Sequence, residues 1–264
     1  ITAQESDIFE PYWRTLLRTW NRELLEPSDG RGGVGLACYL LEREFIKYTR
    51  DYTINLMCPI LEQLDRNQIF LEKTPSHALF MKEIITFFPK AKFIHILRDP
   101  RDVVSSLLEV NKSWGKKWAP ADSVSAYKMW EQHVSAVDNY KNELPSDHFF
   151  EVSYETLVIE PVSIISELCS FLSLEWSIDN IKSAIKNNSI ELTKAGNANN
   201  FIIRGEFSYK GINESKEPDG FIRGKPIGNW KYDLSMLDKI RVWIKGRHYM
   251  KKFGFPWTSP WSDI

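Results

Sequence analysis

Cysteine is scarce in this sequence: there are three, Cys38, Cys58 and Cys169, and no CxxC pair. That argues against a disulfide framework and a thiolate-rich metal centre, and the apolar residues flanking each cysteine point to free, buried thiols in a reducing compartment. Net charge is nearly absent too. Lys and Arg number 34 against 35 Asp and Glu, a formal charge of −1, so the chain lacks the broad positive field that non-specific nucleic-acid or anionic-membrane binding depends on. No uncharged apolar run approaches the roughly 18 residues of a spanning helix, and the opening ITAQESDIFE has no signal-peptide character. Nor do the 5 histidines stand at metal-ligand spacing from cysteines or carboxylates. The expectation is a soluble, cytoplasmic protein with no membrane span, no nucleic-acid partner and no metal.

What is plentiful is core material. Of 264 residues 43% are hydrophobic, with 10 Trp, 10 Tyr and 15 Phe, enough for one domain spanning 1–264. The first 67 residues read as helical throughout, with Trp13, Leu16, Leu17 and Trp20 recurring at helical spacing and a break at 27–33, so at least two helices precede any strand. Short apolar runs then take over: IFLEK (69–73), KFIHIL (92–97) and HFFEVS (148–153), each followed by a helix-start signal. These are βα units, and their weak alternation suits a parallel sheet covered on both faces. Amphipathic segments follow at 161–172, 178–186 and 237–250, and the aromatic tail FGFPWTSPW is expected to pack back. Residues 187–231, rich in Asn, Gly, Lys and Glu, read as a mobile cover.

The junctions carry the functional signal. Thr74-Pro75 and Asp99-Pro100 each present an N-cap residue followed by proline at the first helical position, and Asp102 adds a carboxylate at the third. Right-handed crossovers place the three strand-to-helix corners on one sheet edge, where open α/β sheets bind ligands. At the second corner the strand delivers Arg98 beside a helix N-terminus that favours an anion, with Ser106 two turns further on. Arginine suits phosphate because its planar fork donates bidentately. Two readings of Arg98 stay open at this point, an anion ligand or an ion pair with Asp99 or Asp102.

The segment FIHILRDPRDVVSSLL (93–108) resembles the 3′-phosphate-binding segment of sulfotransferases, which use 3′-phosphoadenosine 5′-phosphosulfate (PAPS) as donor. Arg98 and the serine eight positions later, Ser106, match that motif. Upstream, FLEKTPSHALFMKEIITFFPKA resembles the family's Glu-Lys-Thr-Pro region, and FEVSYETLVIEP resembles its Tyr-Glu-x-Leu-x-x-x-Pro segment, which implies that Tyr154 lies near the nucleotide. Late in the chain FIRGKPIGNWK is similar to the Arg-Lys-Gly-x-x-Gly-Asp-Trp-Lys loop that closes over the 3′-phosphate, with the Gly and Lys order exchanged; it implies Arg223, Gly224 and Lys225 as donor contacts. The resemblance implies an α/β fold, a central parallel sheet flanked by helices of the P-loop-NTPase-like sulfotransferase kind, and PAPS as co-substrate without metal. It is closer to the bacterial and tyrosylprotein-like members than to the cytosolic ones.

Two departures shape the expected mechanism. The family's phosphosulfate loop has no counterpart here, GRGGVG at 30–35 being a poor substitute, so the chain is expected to begin inside the fold, about 30 residues late. Cytosolic members place a catalytic histidine directly after Lys-Thr, whereas this chain has Pro75. By similarity of ITAQESDIF to a Glu-containing segment of the bacterial and tyrosylprotein enzymes, Glu5 is the implied base; the alternative is a solvated or capping carboxylate. Lys73 would meet the sulfuryl oxygens or else form a surface salt bridge, and His77 is the reserve base. The implied acceptor is a small-molecule, glycosidic or tyrosyl hydroxyl. Rival readings are an inactive nucleotide-binding module and a P-loop-type kinase.

Overall fold

The computed structural model describes residues 2–3, 12–25, 35–62, 64–65, 68–189 and 224–256. They fall into two compact units, one up to residue 91 and one from 92 to 189 together with 224–256.

In the first unit β1 (Thr2–Ala3) pairs in parallel with β2 (Leu71–Glu72), and the helices are α1 (Arg14–Leu25), α2 (Glu42–Leu61) and α3 (Met81–Phe87). The strand at Thr2–Ala3 corrects the expectation that only helices precede Leu71; a two-residue strand leaves no periodicity to read. The helical spacing of α1 does what it promised. Trp20 stacks on Phe45 with ring centroids 4.3 Å apart, and Trp13 meets Phe87 edge-on at 4.4 Å. The Trp13 indole N–H is satisfied by the Thr53 hydroxyl at 3.2 Å, which in turn donates to the Thr49 carbonyl. The Thr74-Pro75 start produces a 3₁₀ turn, Pro75–Phe80, ahead of α3. Thr74 does not cap it. Its hydroxyl donates to Glu72 at 2.8 Å, so the proline alone sets the turn.

In the second unit β3 (Phe93–Leu97) pairs in parallel with β4 (Phe149–Ser153) in register His95 to Glu151. The His95 ring nitrogen lies 2.8 Å from the Glu151 carboxylate across that pair, so this mid-strand histidine is hydrogen-bonded within the ladder. This bond, reinforced by Lys141, holds the Glu151 carboxyl below the usual carboxylate range. Around the ladder lie α4 (Pro100–Lys112), α5 (Ser123–Tyr140), α6 (Tyr154–Ile159), α7 (Pro161–Phe171), α8 (Ile178–Asn187), the single turn α9 (Trp230–Asp233) and α10 (Met236–Lys252). The α/β class with parallel strands between helices is as expected. Among the described residues, however, the strands form two separate two-stranded ladders rather than one sheet containing all three expected strands. The second core gathers Leu97, Val104, Tyr127, Trp130, Val134, Trp230, Val242, Met250 and Phe255. Phe255 shows that the start of the aromatic tail packs back. The cysteines are free, but only Cys169 is buried; Cys38 is exposed and Cys58 half-buried, because their helical contexts present those positions outward.

Gly246 marks where α10 crosses α5. A Cβ there would stand 2.8 Å from the Tyr127 ring, which is 1% exposed and tethered by its hydroxyl to Glu131. Alanine would gain about 1 kcal/mol of helix propensity but overpack a ring with no room to retreat, a cost of about 1–3 kcal/mol. Gly246→Ala should therefore lower unfolding stability by about 1 kcal/mol in a urea titration; a more stable variant would show that the ring yields.

Candidate active site

The corner after β3 is built by three carboxylates with separate tasks. Asp99 is the N-cap of α4: its Oδ1 accepts the Arg101 main-chain N–H at 2.8 Å, and its two oxygens also hold the Arg101 guanidinium at 3.0 and 2.6 Å. The Arg101 guanidinium carbon lies over the Trp230 ring, 4.1 Å from its centroid. The Asp99 N–H, which a capping box would return to the third helical residue, donates instead to Glu155 at the start of α6, at 3.0 Å. That leaves Asp102 free of the cap. Only 4% exposed, it accepts the N–H of Gly228 at 2.8 Å and of Trp230 at 3.0 Å. The expected capping role of Asp102 is thus replaced by a hold on a loop 126 residues away in the chain.

Arg98 itself takes neither expected carboxylate, because Asp99 is committed to Arg101 and Asp102 to the loop. Its guanidinium lies 4.4 Å over the Tyr154 ring, its Nε is buried without a hydrogen-bond partner among the described residues, and its main-chain carbonyl accepts the Trp130 indole N–H at 3.1 Å. β3 and β4 thus bring Arg98 and Tyr154 into contact. A flat cation stacked on an aromatic face, beside the N-terminus of a 13-residue helix, is prepared for an oxyanion.

The loop from 224 to 229 closes on the face of α4 that carries Ser105, Ser106 and Glu109. Gly224 and Gly228 have φ of 58° and 79°, the left-handed region that glycine enters without strain. Lys225 donates to Glu109 at 2.6 Å and to Asp233 at 2.7 Å, while Asp233 also accepts from Ser105 at 2.9 Å and Asn229 at 2.7 Å. Burial pushes the Asp233 carboxyl up, but the bonds from Lys225, Ser105 and Asn229 outweigh it and hold the group below its usual range. Burial likewise pulls Lys225 down, and the two carboxylates more than reverse it. The contribution of Asp233 is therefore present above its unfolded-state pKa and lost as pH falls through the lowered folded value. That of Lys225 is lost only as pH rises through its raised one.

Of the candidates, Arg98, Ser106, Tyr154, Gly224 and Lys225 fall in this one unit. Lys225 stands in an ion-pair cluster, so a phosphate contact there would exchange for Glu109 or Asp233. Lys73 is exposed at the end of β2 in the other unit, where His77 Nδ1 lies 2.8 Å from Glu72. Glu5, Arg223 and most of the expected cover lie outside the described residues. Sequence reasoning missed Asp233, Glu109 and the loop-holding role of Asp102; the only local signal was Asp102's place on the same helical face as Ser105 and Glu109. Among the described residues no group of three or more His, Cys, Asp or Glu could hold a metal ion, and no helix is long and apolar enough to cross a membrane.

Residues 37–177, more than half of the chain, match the pattern of the Sulfotransferase family. The chain belongs to that family. It is 25% identical over 257 residues to a 3-beta-hydroxysteroid sulfotransferase of Cavia porcellus, a match covering 87% of this chain and 82% of that protein. It is 32% identical over 105 residues to a putative protein-tyrosine sulfotransferase of Caenorhabditis elegans, covering 40% of each. Among solved structures, retinol dehydratase in complex with androsterone and inactive cofactor PAP is similar at 14% identity and a TM-score of 0.45, over 85% of this chain and 64% of that one. The sulfotransferase segment includes β3, α4 and β4, and so contains Arg98, Ser106 and Tyr154.

Proposed function

We propose that this sulfotransferase moves a sulfuryl group from PAPS to an acceptor hydroxyl. The observation that carries the reading is Arg98: a guanidinium on the Tyr154 face, at the N-terminus of α4, with both neighbouring aspartates engaged elsewhere. In this reading Arg98 and Ser106 bind the donor's 3′-phosphate, Tyr154 braces the guanidinium beside the nucleotide, and Arg223, Gly224 and Lys225 cover it as part of a closing segment over 187–231. The acceptor oxygen forms the new O–S bond as the bridging O–S bond to the phosphate breaks, releasing 3′-phosphoadenosine 5′-phosphate (PAP). The acceptor proton passes to Glu5, and Lys73 offsets charge on the sulfuryl oxygens. No step in this transfer calls for a metal.

The named substrates of the relatives, a 3β-hydroxysteroid and protein tyrosine, support an apolar or tyrosyl acceptor hydroxyl. The near-zero net charge favours these over a polyanionic acceptor. Losing a charged phosphate partner costs about 1.5–3 kcal/mol, so Arg98→Ala should weaken PAP binding about tenfold to a hundredfold by calorimetry. AMP, which lacks the 3′-phosphate, should bind the wild type more weakly than PAP by a similar factor. Equal PAP affinities for wild type and variant would remove Arg98 from the donor site.

A further inference from the structure

We propose that Asp102 is a positioning residue that sets the 224–230 loop against the donor's 3′-phosphate; the proposal rests on the PAPS reading given above. Asp102 is nearly fully buried, yet it pairs with no cation among the described residues. Both of its oxygens are used on main-chain N–H groups of one loop, Gly228 and Trp230. A buried carboxylate is costly unless its lone pairs are satisfied, and here the loop amides are what satisfy them. The dependence runs both ways. The loop has left-handed glycines at 224 and 228, and between the buried Trp230 and those glycines it is Asp102, through the Gly228 N–H, that selects one conformation from the many that glycine allows.

The neighbouring contacts work in the same direction. Glu155 takes the Asp99 N–H, which releases Asp102 from capping. Arg101 holds the Trp230 ring, and Asp233 ties Lys225, Asn229 and Ser105 together at the far end of the loop. The helix that carries Ser106 therefore also carries the anchor for Gly224 and Lys225. One rigid element, α4, fixes both sides of the phosphate site.

The test is calorimetry of PAP and AMP on the full chain as wild type, Asp102→Asn and Arg98→Ala, with amide hydrogen exchange across 224–231. Asparagine keeps one acceptor oxygen but turns an NH₂ toward a main-chain N–H, so one of the two bonds is lost and replaced by a donor–donor contact. Asp102→Asn should lower PAP affinity about tenfold, leave AMP affinity unchanged and speed exchange at Gly228 and Trp230. A purely structural role would weaken both nucleotides alike, or neither, and would overturn the proposal. If Asp102→Asn fails to fold, Asp233→Asn loosens the other end of the loop and is read by the same PAP-to-AMP ratio. A ratio that falls in Arg98→Ala but not in Asp102→Asn or Asp233→Asn sinks the positioning role alone. A wild-type ratio near one sinks the PAPS reading itself.

Discussion

Asp99→Ala should cost about 3–5 kcal/mol of unfolding free energy, the largest stability loss expected from any single change at the β3–α4 corner. The residue does two things at once. It caps α4 through the Arg101 N–H, worth about 1 kcal/mol, and it neutralises a guanidinium that is itself only 7% exposed. Removing the carboxylate strands that cation in the core, and the Trp230 face 4.1 Å away supplies only part of the lost stabilisation. The two losses share the same atoms and do not add in full. Asp99→Asn, which keeps a capping oxygen, should cost less. The double variant Asp99→Ala with Arg101→Met should recover much of the loss, since it removes the stranded charge with its partner. Chemical denaturation of wild type, Asp99→Ala, Arg101→Met and the double variant measures the cycle. A loss below about 1 kcal/mol in Asp99→Ala would mean that water reaches Arg101 and that the pair does not hold the corner.

The corner matters for function because Arg98 is the residue immediately before it. The Arg98 carbonyl is held by Trp130 and the Asp99 N–H by Glu155, so the backbone that aims the guanidinium is fixed from α5 and from α6. Loss of Asp99 should therefore also reduce donor affinity, and the loss should be partial in Asp99→Asn. A protein of normal affinity and low stability would separate the two roles.

The same corner shows which parts of the molecule the sequence disclosed. β3, the Asp99-Pro100 start, α7, α8 and α10 were legible because each has a cap, an apolar period or a proline acting within a few residues. α5 has a sequence signal in the Asp122 cap, but its buried positions Tyr127, Trp130, Val134 and Val137 are interleaved with Lys, Gln and Ser, which blurs the apolar period. The contact of Arg98 with Tyr154 was not legible: the family resemblance implied only that Tyr154 lies near the nucleotide, and 56 residues separate the two. The loop contacts were not legible at all. Asp102 with Trp230 and Ser105 with Asp233 each join residues 128 apart, and a carboxylate at the third position of a helix reads as a cap until the chain that returns to it is seen. Long-range main-chain acceptance leaves no periodic trace.

Glu5→Gln should lower kcat by about 10²- to 10⁴-fold while leaving PAP affinity nearly unchanged, the largest effect expected on turnover. Attack by a hydroxyl on sulfur demands that its proton leave during bond formation, and the position after Lys73-Thr74 that could supply an imidazole holds Pro75. A glutamine matches glutamate in size and can still orient an acceptor, but it cannot take the proton, so ground-state binding should survive where the transition state suffers. His77 is the competing base. Its Nδ1 lies 2.8 Å from the Glu72 carboxylate with both side chains largely covered, the arrangement that orients an imidazole, but also one that ties a 3₁₀ turn to its preceding strand. A tie of that kind predicts that His77→Ala lowers stability and spares the chemistry, whereas a base predicts the loss of the pH-dependent limb of kcat with stability nearly intact. Transfer of labelled sulfuryl groups to a steroid and a tyrosyl peptide, measured across pH for both variants, decides between them. Near-normal turnover in Glu5→Gln beside an inactive but folded His77→Ala would move the proton to the imidazole, and Glu72 would then be the group that steers it.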